Sequence, residues 1–238
     1  MATFLLIPGA GGSAWSWHLV ARELEQRRHR AVPVDLPAAD DDAGLDAYVA
    51  TVVRAAPRDA GALAVVAMSM GGLTAPLVCA HLPVRLVVLL NGMVPTPGET
   101  GGAWWQATGQ HAAMVEHARR IGLTEQDLED EAVLYGHDVP EELAAEEDRQ
   151  ASAQSGRPFA EPWPLDAWPD VPTRVITGRE DRLFPREFQR RLARERLGVT
   201  PDEVDGGHLA MLSRPAQIAD LLDRYAAELH LEGGRRQR

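Results

Sequence analysis

Three residues of this 238-residue chain combine side-chain type and placement in a way that suggests nucleophilic chemistry: Ser69, Asp181 and His208. Ser69 stands in AMSMGG, between the apolar run LAVVA and a helix-compatible stretch of small residues. A strand turning sharply into a helix at one residue pushes that side chain out of the sheet edge. The flanking positions must then be small, because the two backbones pass close together. Ala67 and Gly71 satisfy this as A-x-S-x-G. A serine beside glycine is equally the mark of a plain turn, so this stretch alone leaves both readings open.

A serine hydroxyl acts as a nucleophile when a base lies within hydrogen-bond reach and an acid holds the base's tautomer. Asp181 follows strand-like TRVIT, in GREDRLFP, and His208 follows the last strand candidate, in DGGHLAMLSRP. Each falls just past a strand, on the edge where Ser69 would sit. Singly, Asp181 reads as an exposed loop acid and His208 as a loop histidine. Together, in the order serine, acid, histidine, they favour a catalytic set, with Glu180 and Asp205 as rival acids.

A second loop supports a competing reading. PGAGGSAW, residues 8–15, follows the first strand, and Gly9, Gly11 and Ala14 fit G-x-G-x-x-A. Asp35 closes the second strand about 20 residues on, where a dinucleotide site keeps its ribose-binding acid. An NAD(P)-dependent reductase is therefore an alternative, although a Tyr-x-x-x-Lys acid/base pair is impossible in a chain without lysine. The same loop has another use: closely spaced backbone N–H groups at a helix start stabilise developing negative charge.

The elements expected to position these residues alternate along the chain. Candidate strands are 2–7, 31–35, 62–67, 84–90, 173–177 and a weaker one at 199–204. The middle runs are almost continuously apolar, as in parallel strands covered on both faces. Helical patterns fall at 14–27, 45–55, 70–81, 185–197 and 215–229. This predicts an α/β fold, a mostly parallel sheet of about six strands flanked by helices, with sites at the strands' carboxyl ends. From 95 to 168 no strand is convincing, and helical stretches at 104–121, 125–135 and 141–153 predict an inserted helical cap. The core is then 1–94 and 169–238. His137, in YGHDVP of the cap, is a candidate substrate contact; His18, His29, His81, His111, His117 and His230 fall in helical or exposed patterns.

Bulk composition narrows the class. A formal charge of −11 argues against nucleic acid or an anionic membrane as the main partner. Between Ile121 and Gln150 stand eleven acidic residues and one basic, Arg149, which reads as a solvated helical face. Cys79 is the single cysteine and excludes an internal disulfide or a Cys-rich zinc site. The opening MATFLLIPGAGG lacks a basic lead and long apolar core, and no apolar run approaches a membrane span of roughly 20 residues, so a cytoplasmic enzyme is expected. The terminal GGRRQR reads as a frayed tail.

Taken together, LLIPGAGGSAWSWHLV, AMSMGG, GREDRLFP and GGHLAMLSRP resemble the α/β-hydrolase superfamily. Within it the chain is most similar to the plant methylesterase and hydroxynitrile lyase branch and its bacterial relatives. The likeness spans nearly the whole chain and is weakest in the cap. It implies Ser69 as nucleophile, His208 as base and Asp181 as its partner, the last in G-x-x-D spacing from Gly178. It also implies the backbone amides of Ala10 and Met70 as oxyanion donors. Gly9, Met93, Trp104, His137 and Leu209 are candidate substrate contacts, and Trp15, Trp17, Trp104 and Trp105 are candidate apolar walls. Pro8 and Met68 depart from the family, which usually has histidine at both positions. The lyases use a lysine immediately after the catalytic histidine; here that residue is Leu209, and arginine is a poor proton donor. Serine at the elbow, rather than aspartate, speaks against an epoxide hydrolase or haloalkane dehalogenase. The expectation is a cofactor-independent hydrolase of a small carboxylic ester. Lactonase, thioesterase and amidase activities share this machinery, and a non-catalytic binding protein that keeps the fold is the remaining alternative.

Overall fold

The computed structural model describes residues 1–236, with side-chain surroundings through Leu229. Six strands form one sheet: β1 (Ala2–Ile7), β2 (Arg30–Pro33), β3 (Ala62–Met68), β4 (Val84–Leu90), β5 (Thr173–Gly178) and β6 (Asp202–Val204). Their order is β2-β1-β3-β4-β5-β6, and every pairing is parallel, where a mostly parallel sheet was expected. Parallel strands with helices on both faces have no solvent side, which explains the unbroken apolar runs.

Successive side chains on each strand point to opposite faces. Leu5, Ile7, Val65, Ala67, Val87 and Leu89 pack with residues of α2 (Leu45–Ala55) and α8 (Arg186–Leu197). Phe4, Leu6, Ala64, Val66, Val88 and Leu90 pack with α1 (His18–Gln26), α9 (Ala210–Ser213) and α10 (Pro215–Arg236). Each fully buried side chain of this size contributes roughly 1.5–3 kcal/mol.

Several boundaries differ from the periodicity, for local reasons. The helix expected at 70–81 is a 3-10 turn, Ser69–Leu73, followed by the short α3, Ala75–Val78. Pro76 lacks an N–H and its ring excludes the carbonyl four residues back, so one α-helix cannot pass through both segments. The helix expected at 14–27 starts as a 3-10 turn, Ala14–Trp17, where Ser13 Oγ accepts the Trp15 N–H at 3.2 Å. The weak last strand shrinks to three residues, following Pro201, which cannot donate to a ladder. The final helix instead runs beyond 229 into GGRRQR, and the last two residues of that tail, 237 and 238, lie outside the described residues.

Between β4 and β5 the chain forms helices joined by turns and loops, with one isolated bridge from Thr100 to Pro162. The interval holds α4 (Gly101–Thr108), α5 (Gln110–Arg120), a 3-10 turn (Gln126–Glu129), a π-turn (Ala132–Gly136), α6 (Glu141–Gln150) and α7 (Arg157–Ala160). The single helix expected at 104–121 is split at Gly109, whose φ of +66° is the left-handed conformation that ends helices. Trp104, Met114, Leu128, Leu134 and Trp163 bury into the same cluster as Leu5 and Val65, so the cap shares the core of the sheet. Among the described residues no helix is long and apolar enough to cross a membrane.

The acidic face of α6 is solvated at Glu141 and Glu142, but Glu147 turns inward. Its Oε1 accepts the Ser16 hydroxyl at 2.6 Å, while Oε2 is buried without a partner. Burial pushes this carboxyl above its ordinary 4.5, against the opposing pull of the Ser16 hydrogen bond. Because the folded value is the higher one, stability is fully present below pH 4.5 and is lost as pH rises through the folded value. Glu147→Gln keeps an acceptor for Ser16 and removes the charge. Its Tm should therefore exceed that of the wild type at pH 7.5, and the gap should close toward pH 4; thermal melts across that range provide the check.

Candidate active site

β3 ends at Met68, and the next residue, Ser69, opens the 3-10 turn with a φ of +51°. A non-glycine residue in the left-handed region is strained and persists where its surroundings over-determine it. They do so here by close approach. A Cβ on Gly72 would lie 2.0 Å from the Met93 carbonyl oxygen, and one on Gly71 would lie 2.7 Å from that of Pro8. The Met93 N–H in turn donates to the Ser69 carbonyl at 2.9 Å. The turn is thus pinned between the ends of β1 and β4, with the Ser69 hydroxyl projecting at the sheet's carboxyl edge.

Three side chains from distant parts of the chain meet there. Ser69 Oγ lies 3.1 Å from His208 Nε2, and His208 Nδ1 lies 2.8 Å from Asp181 Oδ2. An ionised aspartate only accepts, so Nδ1 carries the proton and Nε2 presents its lone pair to the serine. Asp181 is fully buried, and its other oxygen accepts the Leu183 and Phe184 amides at 2.9 and 2.8 Å. Those bonds offset the cost of a desolvated carboxylate and hold its plane. The rival acids are engaged elsewhere: Glu180 is exposed, and Asp205 pairs with Arg179. Tyr135 and Phe184 flank the imidazole, with ring centroids 5.6 and 5.2 Å away.

Asn91, just past β4, ties these loops together and carries no signal in the local sequence. Its φ is +44° and it is fully buried. Oδ1 accepts the Gly178 N–H at 2.8 Å, and Nδ2 donates to the carbonyls of Gly207 and His208 at 3.1 and 3.0 Å. One amide thereby fixes the end of β5 and the backbone on which His208 rides.

The remaining candidates are placed unevenly. Gly9 lies against the elbow, where a Cβ would meet Met68 Sδ at 2.7 Å and Ser69 Cβ at 3.1 Å. Ala10 is exposed on the loop after β1, and Met70 lies in the first turn after the elbow, where backbone N–H groups have no intrahelical acceptor. Met93 is not a wall of the site. Its side chain is buried in the core, and its backbone locks the elbow. Trp104 is likewise fully buried, and its indole N–H donates to the Val94 carbonyl, 3.1 Å away. It backs Phe184 at 5.2 Å and does not face an opening. Trp17 is also fully buried, so it is packing and not a wall. His137 is engaged with the loop after β5, its Nε2 lying 2.9 Å from the Glu180 carbonyl. Burial first, then Arg182, holds that imidazole below its ordinary value. Leu209 is half-buried against the second core. The side chain of His230 lies outside the described residues.

Asp35, the candidate ribose acid, is exposed, and its Oδ1 accepts the Ala14 N–H at 2.7 Å, closing the glycine loop onto its own helix start.

A family model described as the alpha/beta hydrolase family matches residues 4–221. A probable esterase, PIR7A, of rice (Oryza sativa subsp. indica) is 27% identical over 259 residues, covering 94% of this chain and 97% of the relative. Among solved structures, polyneuridine aldehyde esterase superposes with a TM-score of 0.75 at 19% identity, covering 95% of this chain and 99% of its own. The methylesterase MES16 of Arabidopsis gives 0.72 at 19% identity, with coverage of 95% and 99%. At such identities the structural likeness speaks to the fold.

Asn91→Ala removes three buried hydrogen bonds and leaves the Gly178 amide and two carbonyls unpaired. It should cost about 2–4 kcal/mol of stability by chemical denaturation. A variant with an unchanged denaturation midpoint would mean that the loops are held independently of Asn91.

Proposed function

The chain belongs to the alpha/beta hydrolase family, and from that premise we propose that it is a serine esterase cleaving small carboxylic esters without a cofactor. The observation that carries the reading is the continuous relay from Ser69 through His208 to buried Asp181, at 3.1 and 2.8 Å, starting from a strained elbow. Few plain turns would accept a left-handed serine, two glycines forced by contact and a buried carboxylate together. The names of PIR7A and polyneuridine aldehyde esterase, both esterases, agree with it.

In the proposed mechanism His208 Nε2 takes the Ser69 proton as Oγ attacks the ester carbonyl carbon. The carbonyl oxygen becomes an oxyanion held by the amides of Ala10 and Met70, each contributing on the order of 3 kcal/mol to the barrier reduction. Collapse expels the alkoxide, which takes the proton from His208 and leaves as alcohol. Water then gives a proton to His208 and attacks the acyl-enzyme, releasing the carboxylic acid and restoring Ser69. Asp181 keeps the imidazole in its productive tautomer and stabilises the imidazolium without being protonated. The rings of Tyr135 and Phe184 beside His208 supply an apolar border suited to an uncharged ester.

The test is Ser69→Ala. Turnover of p-nitrophenyl acetate should fall by at least about 10⁴-fold with the melting temperature preserved, and labelling by a fluorophosphonate probe should disappear. Retained turnover would overturn the reading, and tight NADH or NADPH binding by fluorescence would restore the reductase alternative.

A further inference from the structure

The cap does more than cover the sheet: its returning segment is bonded to the glycine loop. Gly11 directly follows Ala10 and has a φ of +65°. Its N–H donates to Gln154 Oε1 at 3.0 Å, and its carbonyl accepts the Ser152 N–H at 2.8 Å. Both polar groups of one loop residue are therefore taken by cap residues some 140 positions away in sequence. The approach is close enough that a Cβ on Gly11 would lie 2.6 Å from the Ser152 carbonyl oxygen. Gln154 is itself anchored. Its Nε2 donates to the Tyr48 hydroxyl at 3.0 Å and to the Ser155 carbonyl at 2.8 Å. The Ser155 N–H donates to the Ala38 carbonyl at 2.7 Å, which fastens the segment to the loop after β2.

We propose that Gln154 is a positioning residue for the oxyanion loop, so that docking of the cap's return segment orients the Ala10 amide. This rests on the reading of Ala10 as an oxyanion donor. The Ala10 carbonyl and the Gly11 N–H belong to one planar peptide unit. Holding that N–H fixes this plane, and the Gly12 N–H on the Gly9 carbonyl at 3.3 Å holds the preceding plane, which carries the Ala10 N–H, so the two together set the torsions about the Ala10 Cα. Gly11 and Gly12 would otherwise leave the loop with wide conformational freedom. An oxyanion donor stabilises the transition state only when its position is set before the charge develops. A misplacement of about 1 Å costs on the order of 100-fold. Gln154 therefore acts on the chemical step, and substrate binding is left largely alone.

Gln154→Met matches the side-chain length and removes every hydrogen bond. In the full-length enzyme, kcat for p-nitrophenyl acetate should fall roughly 10–100-fold with KM within about twofold of wild type. Gln154→Glu keeps an acceptor for the Gly11 N–H, and Tyr48 can donate to it, so it should recover most of the lost kcat. Tyr48→Phe removes one of the two Nε2 acceptors while sparing the bonds to Gly11 and Ser155, and should stay within about threefold of wild type. A purely structural role would lower the Tm of all three variants without separating kcat from KM. Wild-type kcat in Gln154→Met, a loss confined to KM, or failure of Gln154→Glu to exceed Gln154→Met would each overturn the inference. If the wild type itself shows no Ser69-dependent hydrolysis, the esterase reading fails first; if that hydrolysis is present and Gln154→Met matches it, only the role of Gln154 falls.

Discussion

Where β3 gives way to its 3-10 turn, the backbones of three strands converge so tightly that there is no space for side chains. Ser69 sits at a positive φ with its carbonyl on the Met93 N–H, while Gly71 and Gly72 behind it lie against the carbonyls of Pro8 and Met93. Gly9, Gly71 and Gly72 are the residues that make the convergence sterically feasible. Because β1, β3 and β4 are neighbours in the sheet, the same convergence brings the glycine loop against the elbow. Everything else at the carboxyl edge is arranged around that one contact.

The electrostatics follow from burial. A carboxylate and an imidazole removed from water would each be costly if left unpaired. Asp181 has two backbone donors and the imidazole N–H on its oxygens, and the imidazole is packed between Tyr135 and Phe184. Asn91 then secures the backbone behind them. These bonds hold the geometry without requiring the loops to be intrinsically stiff.

The cap contributes to this arrangement at several points. Gln110 of α5 donates to the Leu183 carbonyl at 2.6 Å, just past the acid. His137 meets the Glu180 carbonyl, and Asp138 accepts the Gly207 N–H at 3.0 Å, next to the histidine. Gln154 and Ser152 hold Gly11 at the opposite side. With Trp104 and Trp163 also buried in the sheet's core, the helical interval between β4 and β5 braces the domain.

Much of this was legible from the chain. Hydrophobic runs and Gly/Pro punctuation are local properties, and they located all six strands, the helical interval and the loops carrying Ser69, Asp181 and His208. Local terms also explain the misplaced boundaries, since Pro76 and Gly109 act through sterics within one or two turns. What was not legible depends on pairs far apart in sequence. Asn91 reads as a residue after a strand, Trp104 as a candidate apolar wall and His137 as a candidate substrate contact until their partners are known. The bond from the Ala14 N–H to Asp35, 21 residues apart, likewise has no mark in the sequence pattern. By itself, the sequence determined which residue types stand at the ends of which strands, because covalent order and periodicity suffice for that. Only the tertiary structure decided which of them touch, because hydrogen bonds and close packing are set by the docking of segments that covalent order leaves unrelated.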